Sequence, residues 1–63
     1  MKITTGTDRK TKAMIISVSG TPEEKKAFEM AICSQSFAVR KKDQAHFLAP
    51  NSAAVAAFVA SFA

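Results

Sequence analysis

The chain has 63 residues, with nine lysines and arginines against five aspartates and glutamates, and a formal net charge of +4 at pH 7. At this length one domain, 1–63, with a thin core is the only arrangement open; a deep catalytic cleft has no room, and oligomerisation is one way to bury more surface. Hydrophobic residues at 48% and charged residues at 22% are a globular composition, which excludes a disordered tail.

The first strand is expected over residues 2–5, where Ile3, Thr4 and Thr5 are β-permissive, and Gly6 to Lys12 reads as a polar exposed loop. Residues 13–19 carry the clearest strand pattern: Met14, Ile16 and Val18 fall on one face, and Ile15, Ser17 and Ser19 on the other. Gly20 ends that strand. Thr21-Pro22-Glu23-Glu24 is a helix start, with Thr21 as cap, Pro22 in the first turn, and Glu24 three residues after the cap. A helix over 22–34 follows, with Ala27, Phe28, Ala31 and Ile32 on its apolar stripe, Met30 at the edge, and Lys25, Lys26 and Glu29 facing away.

Ser34-Gln35-Ser36 breaks the helix. Residues 37–40 and 45–49 read as a hairpin around the charged turn Lys41-Lys42-Asp43. Pro50 stops the last strand, Asn51 is a cap, and a second helix runs to Phe62 with Val55, Phe58, Val59 and Phe62 on one side. The expected fold is α+β in the order β-β-α-β-β-α: a small antiparallel sheet with two helices on one face. The alternative is a three-stranded sheet with the first strand frayed.

The N-terminal stretch lacks the apolar run of about 7–15 residues that a secretory signal needs, so the mature protein is expected to start at Met1. The uncharged C-terminal segment spans 13 residues, short of the roughly 20 that cross a bilayer as a helix. A single cysteine cannot close an intramolecular disulfide, and Cys and His do not fall at metal-site spacing. These features point to a cytoplasmic chain with no membrane association, metal or cofactor.

Chemistry is scarce. Cys33 and His46 are the one candidate pair of nucleophile and base, but Cys33 falls about one turn beyond Glu29, whose carboxylate works against a thiolate. A half-buried structural cysteine and a structural or surface histidine are the simpler assignments. Phosphate-cradling glycine loops and paired carboxylates are absent. No enzymatic activity is expected.

All nine basic residues lie in 1–42, which nets +5, and from Asn51 to Ala63 no side chain is charged. Apart from Lys2 they fall into three clusters: Arg9, Lys10 and Lys12 in the first loop, Lys25 and Lys26 on the first helix, and Arg40, Lys41 and Lys42 at the second turn. Whether the two loop clusters share an end of the sheet is open at this level. Base stacking would fall to Phe37 or Phe47, both better placed in a core. The uncharged last helix is expected to turn Val55, Phe58, Val59 and Phe62 to the sheet. Ser52, Ala53, Ala56 and Ala60 are left as a smooth strip for a second copy or a partner.

The function these features suggest is a small binding protein. It would occupy an acidic surface of a larger protein or nucleoprotein through Arg9, Lys10, Lys12, Arg40, Lys41 and Lys42, as small phage or plasmid regulators and inhibitors do, and form a homodimer through the last helix. The alternatives are a DNA- or RNA-binding protein using the same cations on phosphates, and an accessory subunit without independent activity.

Overall fold

A computed structural model describes residues 1–62. Six elements follow in chain order: β1 (Lys2–Thr7), β2 (Met14–Ser19), α1 (Pro22–Cys33), β3 (Arg40–Lys41), β4 (His46–Ala49) and α2 (Ala53–Phe62). The strands form one antiparallel sheet in the order β1-β2-β4-β3, so the fold is α+β with a four-stranded sheet and two helices. β1 is a full strand paired with β2 along its whole length, from Lys2 opposite Ser19 to Thr7 opposite Met14. The polar loop consequently begins at Asp8.

Alternation along β2 places Met14, Ile16 and Val18 in the interior, and the register puts Met14 opposite Ala49 and Ile16 opposite Phe47. These side chains join Phe28 and Ile32 of α1 and Val55 and Val59 of α2 in one buried cluster. Phe28 is fully buried at its centre: its ring lies 5.5 Å from Phe47, 6.3 Å from Phe58 and 5.1 Å from Phe62, between ring centroids. The other side of the sheet carries Lys2, Thr4, Gly6, Ile15, Ser17, Ser19, Leu48, His46 and Arg40, with Ile15, Ser17 and Leu48 half-buried and the rest exposed. We call it the outer side.

α1 starts as its sequence predicts. Thr21 Oγ1 accepts from the Glu24 N–H at 3.2 Å, Glu24 Oε1 accepts from the Thr21 N–H at 3.0 Å, and the Met1 ammonium lies 3.0 Å from Glu24 Oε2. Gly20 makes this approach possible: its φ is +156°, and a Cβ there would stand 2.8 Å from Glu24 Oε1 and 3.3 Å from Met1 Cα. The buried face of α1 is rotated from the expected stripe. Phe28 and Ile32 are interior, Ala27 is exposed, Lys25 and Glu29 are half-buried, and Met30 is 66% exposed. The cause is the aromatic contact of Phe28 with β4 and α2, which sets the helix azimuth more strongly than two alanines can.

Two further expectations are corrected. The strand expected over 37–40 is reduced to Arg40–Lys41, because Phe37 packs edge-on against Phe58 at 5.9 Å and the Val39 N–H bonds back to the Phe37 carbonyl at 3.0 Å. That tight turn takes residues 37–39 out of the ladder. The cap of α2 is Ser52, whose Oγ accepts from the Val55 N–H at 3.3 Å, and not Asn51, because the Pro50 carbonyl takes the Ser52 N–H at 2.9 Å and delays the helix by one residue.

Thr21→Ala is expected to cost about 1 kcal/mol, a fall in thermal midpoint of about 4–8 °C by circular dichroism. Phe28→Ala is expected to cost about 3–5 kcal/mol, comparable with the whole stability of a domain this small, and to leave much of the chain unfolded at 25 °C.

Candidate binding surface

The two hairpin loops leave opposite ends of the sheet. β1 and β2 meet beyond Thr7 and Met14, whereas β4 enters at His46 opposite Ser17 and runs toward Met14, so the β3–β4 turn sits at the far end. The run Arg40-Lys41-Lys42 is divided between the two sides of the sheet. Arg40 pairs with Leu48, which pairs with Ile15, and so lies toward the end that carries the first loop, with its side chain on the outer side. Lys41 points to the side of the helices and forms an ion pair with Glu29 of α1, Nζ to Oε1 2.9 Å. Lys42 donates its N–H to the His46 carbonyl at 2.9 Å and by alternation returns to the outer side with Arg40, two residues along, where its charge reaches Asp8.

Arg40 lines a shallow depression of about 280 Å³ together with Thr11, Ala13, Ala38, Leu48, Ala49 and Pro50. Thr11 and Ala13 belong to the loop that carries Arg9, Lys10 and Lys12. Four cations that the sequence separates by some thirty positions thus come to one end of the sheet, against one carboxylate, Asp8.

Asp8 holds that loop in shape. Its Oδ1 accepts from the Lys10 N–H at 2.7 Å and the Thr11 N–H at 3.2 Å, and its backbone carbonyl takes the Lys12 N–H at 2.8 Å. Closing the loop this way puts Lys12 at φ 59°, a left-handed conformation that costs a non-glycine residue about 1 kcal/mol. The Lys10 N–H first and the Thr11 N–H next hold the Asp8 carboxyl below its usual range, with a smaller share from the charge of Lys42.

A second cleft, about 390 Å³, lies between α1 and the β3–β4 turn and is lined by Pro22, Lys25, Lys26, Glu29, Met30, Lys41 and Gln44. Of its three lysines, Lys41 is paired with Glu29. It is the larger hollow and its lining is mostly charged or polar, whereas the depression at Arg40 sets one cation over an apolar floor.

Cys33 is exposed at the end of α1 and not half-buried as expected, because the interior positions of the last turn are taken by Ile32 and, in part, Ala31. His46 stands exposed on the outer side with Nδ1 2.9 Å from Asp43 Oδ1. The nucleophile-and-base pair weighed from sequence is thus divided between the α1 terminus and a histidine engaged with its own turn. Among the described residues no buried side-chain polar atom lacks a partner, no three metal-ligating side chains gather, and no helix is long and apolar enough to cross a membrane. All five phenylalanines belong to the core or pack against it, Phe47 fully buried and Phe37 on Phe58. In α2, Ser52, Ala53, Ala56 and Ala60 are exposed opposite the buried Val55 and Val59.

No protein-family model, curated protein or solved structure matches the chain.

Three carboxyls are held below their ordinary values of 3.8 for aspartate and 4.5 for glutamate: Asp8 as above, Glu24 chiefly by the Thr21 N–H, and Asp43 chiefly by the Ala45 N–H. A depressed folded-state value means stability that is complete above the unfolded value and lost as pH falls through the folded one. The thermal midpoint should accordingly be flat from pH 7 to about 5 and fall steadily below about 4.5. Lys12→Gly relieves the left-handed conformation and is expected to raise stability by about 0.5–1 kcal/mol, measured by urea unfolding.

Proposed function

We propose that this chain is a small non-enzymatic binding protein that occupies an acidic surface of a larger protein or nucleoprotein, acting as a regulator or inhibitor by occlusion. The docking end is the one where Arg40 joins Arg9, Lys10 and Lys12. The observation that supports it is the depression at Arg40, where that one cation stands over Ala13, Ala38, Leu48, Ala49 and Pro50 beside Thr11 of the loop that carries Arg9, Lys10 and Lys12. Such a surface suits a partner that offers carboxylates around an apolar side chain, since the charges steer encounter and the apolar contact retains the complex.

Phosphates alone would use the cations and leave the apolar floor idle. Single-stranded nucleic acid is further disfavoured because the two candidate stacking rings are spent internally, Phe47 in the core and Phe37 against Phe58. Lys41, tied to Glu29 on the other side of β3, takes no part in this surface.

The test is capture of partners from native-host lysate on the immobilised chain, with and without nuclease. A defined protein retained after nuclease and lost with Arg40→Glu supports the proposal. Loss of all binding on nuclease treatment, with affinity that falls by roughly 0.9 decades per decade of salt for each phosphate contacted, would assign the surface to nucleic acid. Lys41→Glu is expected to weaken capture far less than Arg40→Glu. Equal effects from the two substitutions would show that net charge alone, and not the Arg40 end, carries the binding.

A further inference from the structure

The two edges of the sheet differ. β3 is a two-residue edge, carries Lys41, and is preceded by the turn that closes Val39 on Phe37, all of which blunt strand addition. β1 has none of these protections. It runs six residues, Lys2-Ile3-Thr4-Thr5-Gly6-Thr7, with one charge at its start and every residue exposed except the half-buried Ile3.

The hydrogen-bond alternation shows which backbone groups this edge leaves free. Asp8 N–H donates to Ala13 O at 2.8 Å, and Val18 N–H donates away from β1 to Ala45 O at 2.8 Å. The even residues of β1 are therefore those that bond to β2: Gly6 with Ile15, Thr4 with Ser17, and Lys2 with Ser19. Ile3, Thr5 and Thr7 direct their N–H and C=O groups outward.

We infer that β1 is a self-pairing edge: two copies of this chain join antiparallel through β1, centred on Thr5, to form one continuous eight-stranded sheet. Only registers that face odd residues with odd residues can use the outward groups. Centring on Thr5 is the one that uses all of them, with Ile3 opposite Thr7 of the second copy, Thr5 opposite Thr5, and Thr7 opposite Ile3. That same register brings Lys2 opposite Asp8 of the second copy at both ends. Both are even positions on the outer side, in pairs whose side chains approach most closely, and with Asp8 Oδ1 taken by the Lys10 and Thr11 N–H groups the contact falls to Oδ2. A sheet edge that fits any extended peptide would not need this match. The charge complementarity selects a second copy, while the uncharged α2 strip of Ser52, Ala53, Ala56 and Ala60 offers no feature that picks out a partner.

The full chain should be examined by sedimentation equilibrium from about 10 μM to about 1 mM at about 0.15 M salt, where the screening length of about 8 Å damps repulsion between two +4 chains. Amide hydrogen exchange should be followed over the same range. A reversible dimer is expected, with the amides of Ile3, Thr5 and Thr7 slowing as concentration rises while those of Thr4 and Gly6 stay unchanged. Lys2→Glu, which sets glutamate against Asp8 at both ends, should weaken association about tenfold. Thr5→Pro removes an N–H that has no ladder partner within the chain and should abolish it, with circular dichroism as the control for folding. If Thr5→Pro unfolds, Lys2→Glu and the exchange pattern decide. A chain monomeric throughout, odd-residue amides that stay fast, or a dimer dispersed only by Ala56→Glu in α2 would each overturn the inference.

Discussion

Phe28 is the contact on which the rest of the molecule depends. It is the one ring that touches the sheet through Phe47 and α2 through Phe58 and Phe62, so it joins three elements that no disulfide within the chain can hold together. In a 63-residue chain few side chains can be interior, and aromatic rings bury the most area each. The consequence reaches the surface. With every phenylalanine in the core or packed against it, and no tyrosine or tryptophan in the sequence, the exterior is dominated by charged, polar and small side chains, with Met1 and Met30 as its exposed large apolar ones. Recognition has to come from charge, from shallow apolar contact or from backbone hydrogen bonds.

Around that core the turns do the positioning. Asp8 gathers the N–H groups of Lys10 and Thr11 and forces Lys12 into a left-handed conformation, which holds three cations on a closed loop. The Thr21–Glu24 box, with Gly20 giving it room, fixes where β2 ends and α1 begins. Both devices are local, and they bracket β2, the strand that pairs with both β1 and β4. The loop that presents charge and the helix that carries Phe28 are thus anchored to the two ends of one strand.

Local features were accordingly the most legible. The interior triad Met14, Ile16 and Val18, the Thr21 cap and the interior side of α2 at Val55 and Val59 follow from period and capping chemistry alone. What misled were places where a distant contact outweighed a local preference. Phe37 and Val39 have strand-like sequence, yet packing on Phe58 and a tight turn withdraw them from the ladder. Ala27 shares the apolar spacing of α1, but the pull of Phe28 toward Phe47 turns it outward. Cys33 was misplaced for the same reason.

The surface at Arg40 was legible only in its ingredients. Composition and position in the chain determined that this would be a small α+β domain with a positive body and an uncharged final helix, because length, charge and hydrophobic period are properties of the sequence itself. Which cations act together was decided by the pairing of β2 with β4. That pairing sends the two hairpin loops to opposite ends, and the two-residue period of β3 then turns Arg40 and Lys41 to opposite sides. Three adjacent basic residues are one cluster in sequence and are divided between two sides in the fold, Lys41 toward the helices and Arg40 and Lys42 on the outer side, since immediate neighbours along a strand do not share a face.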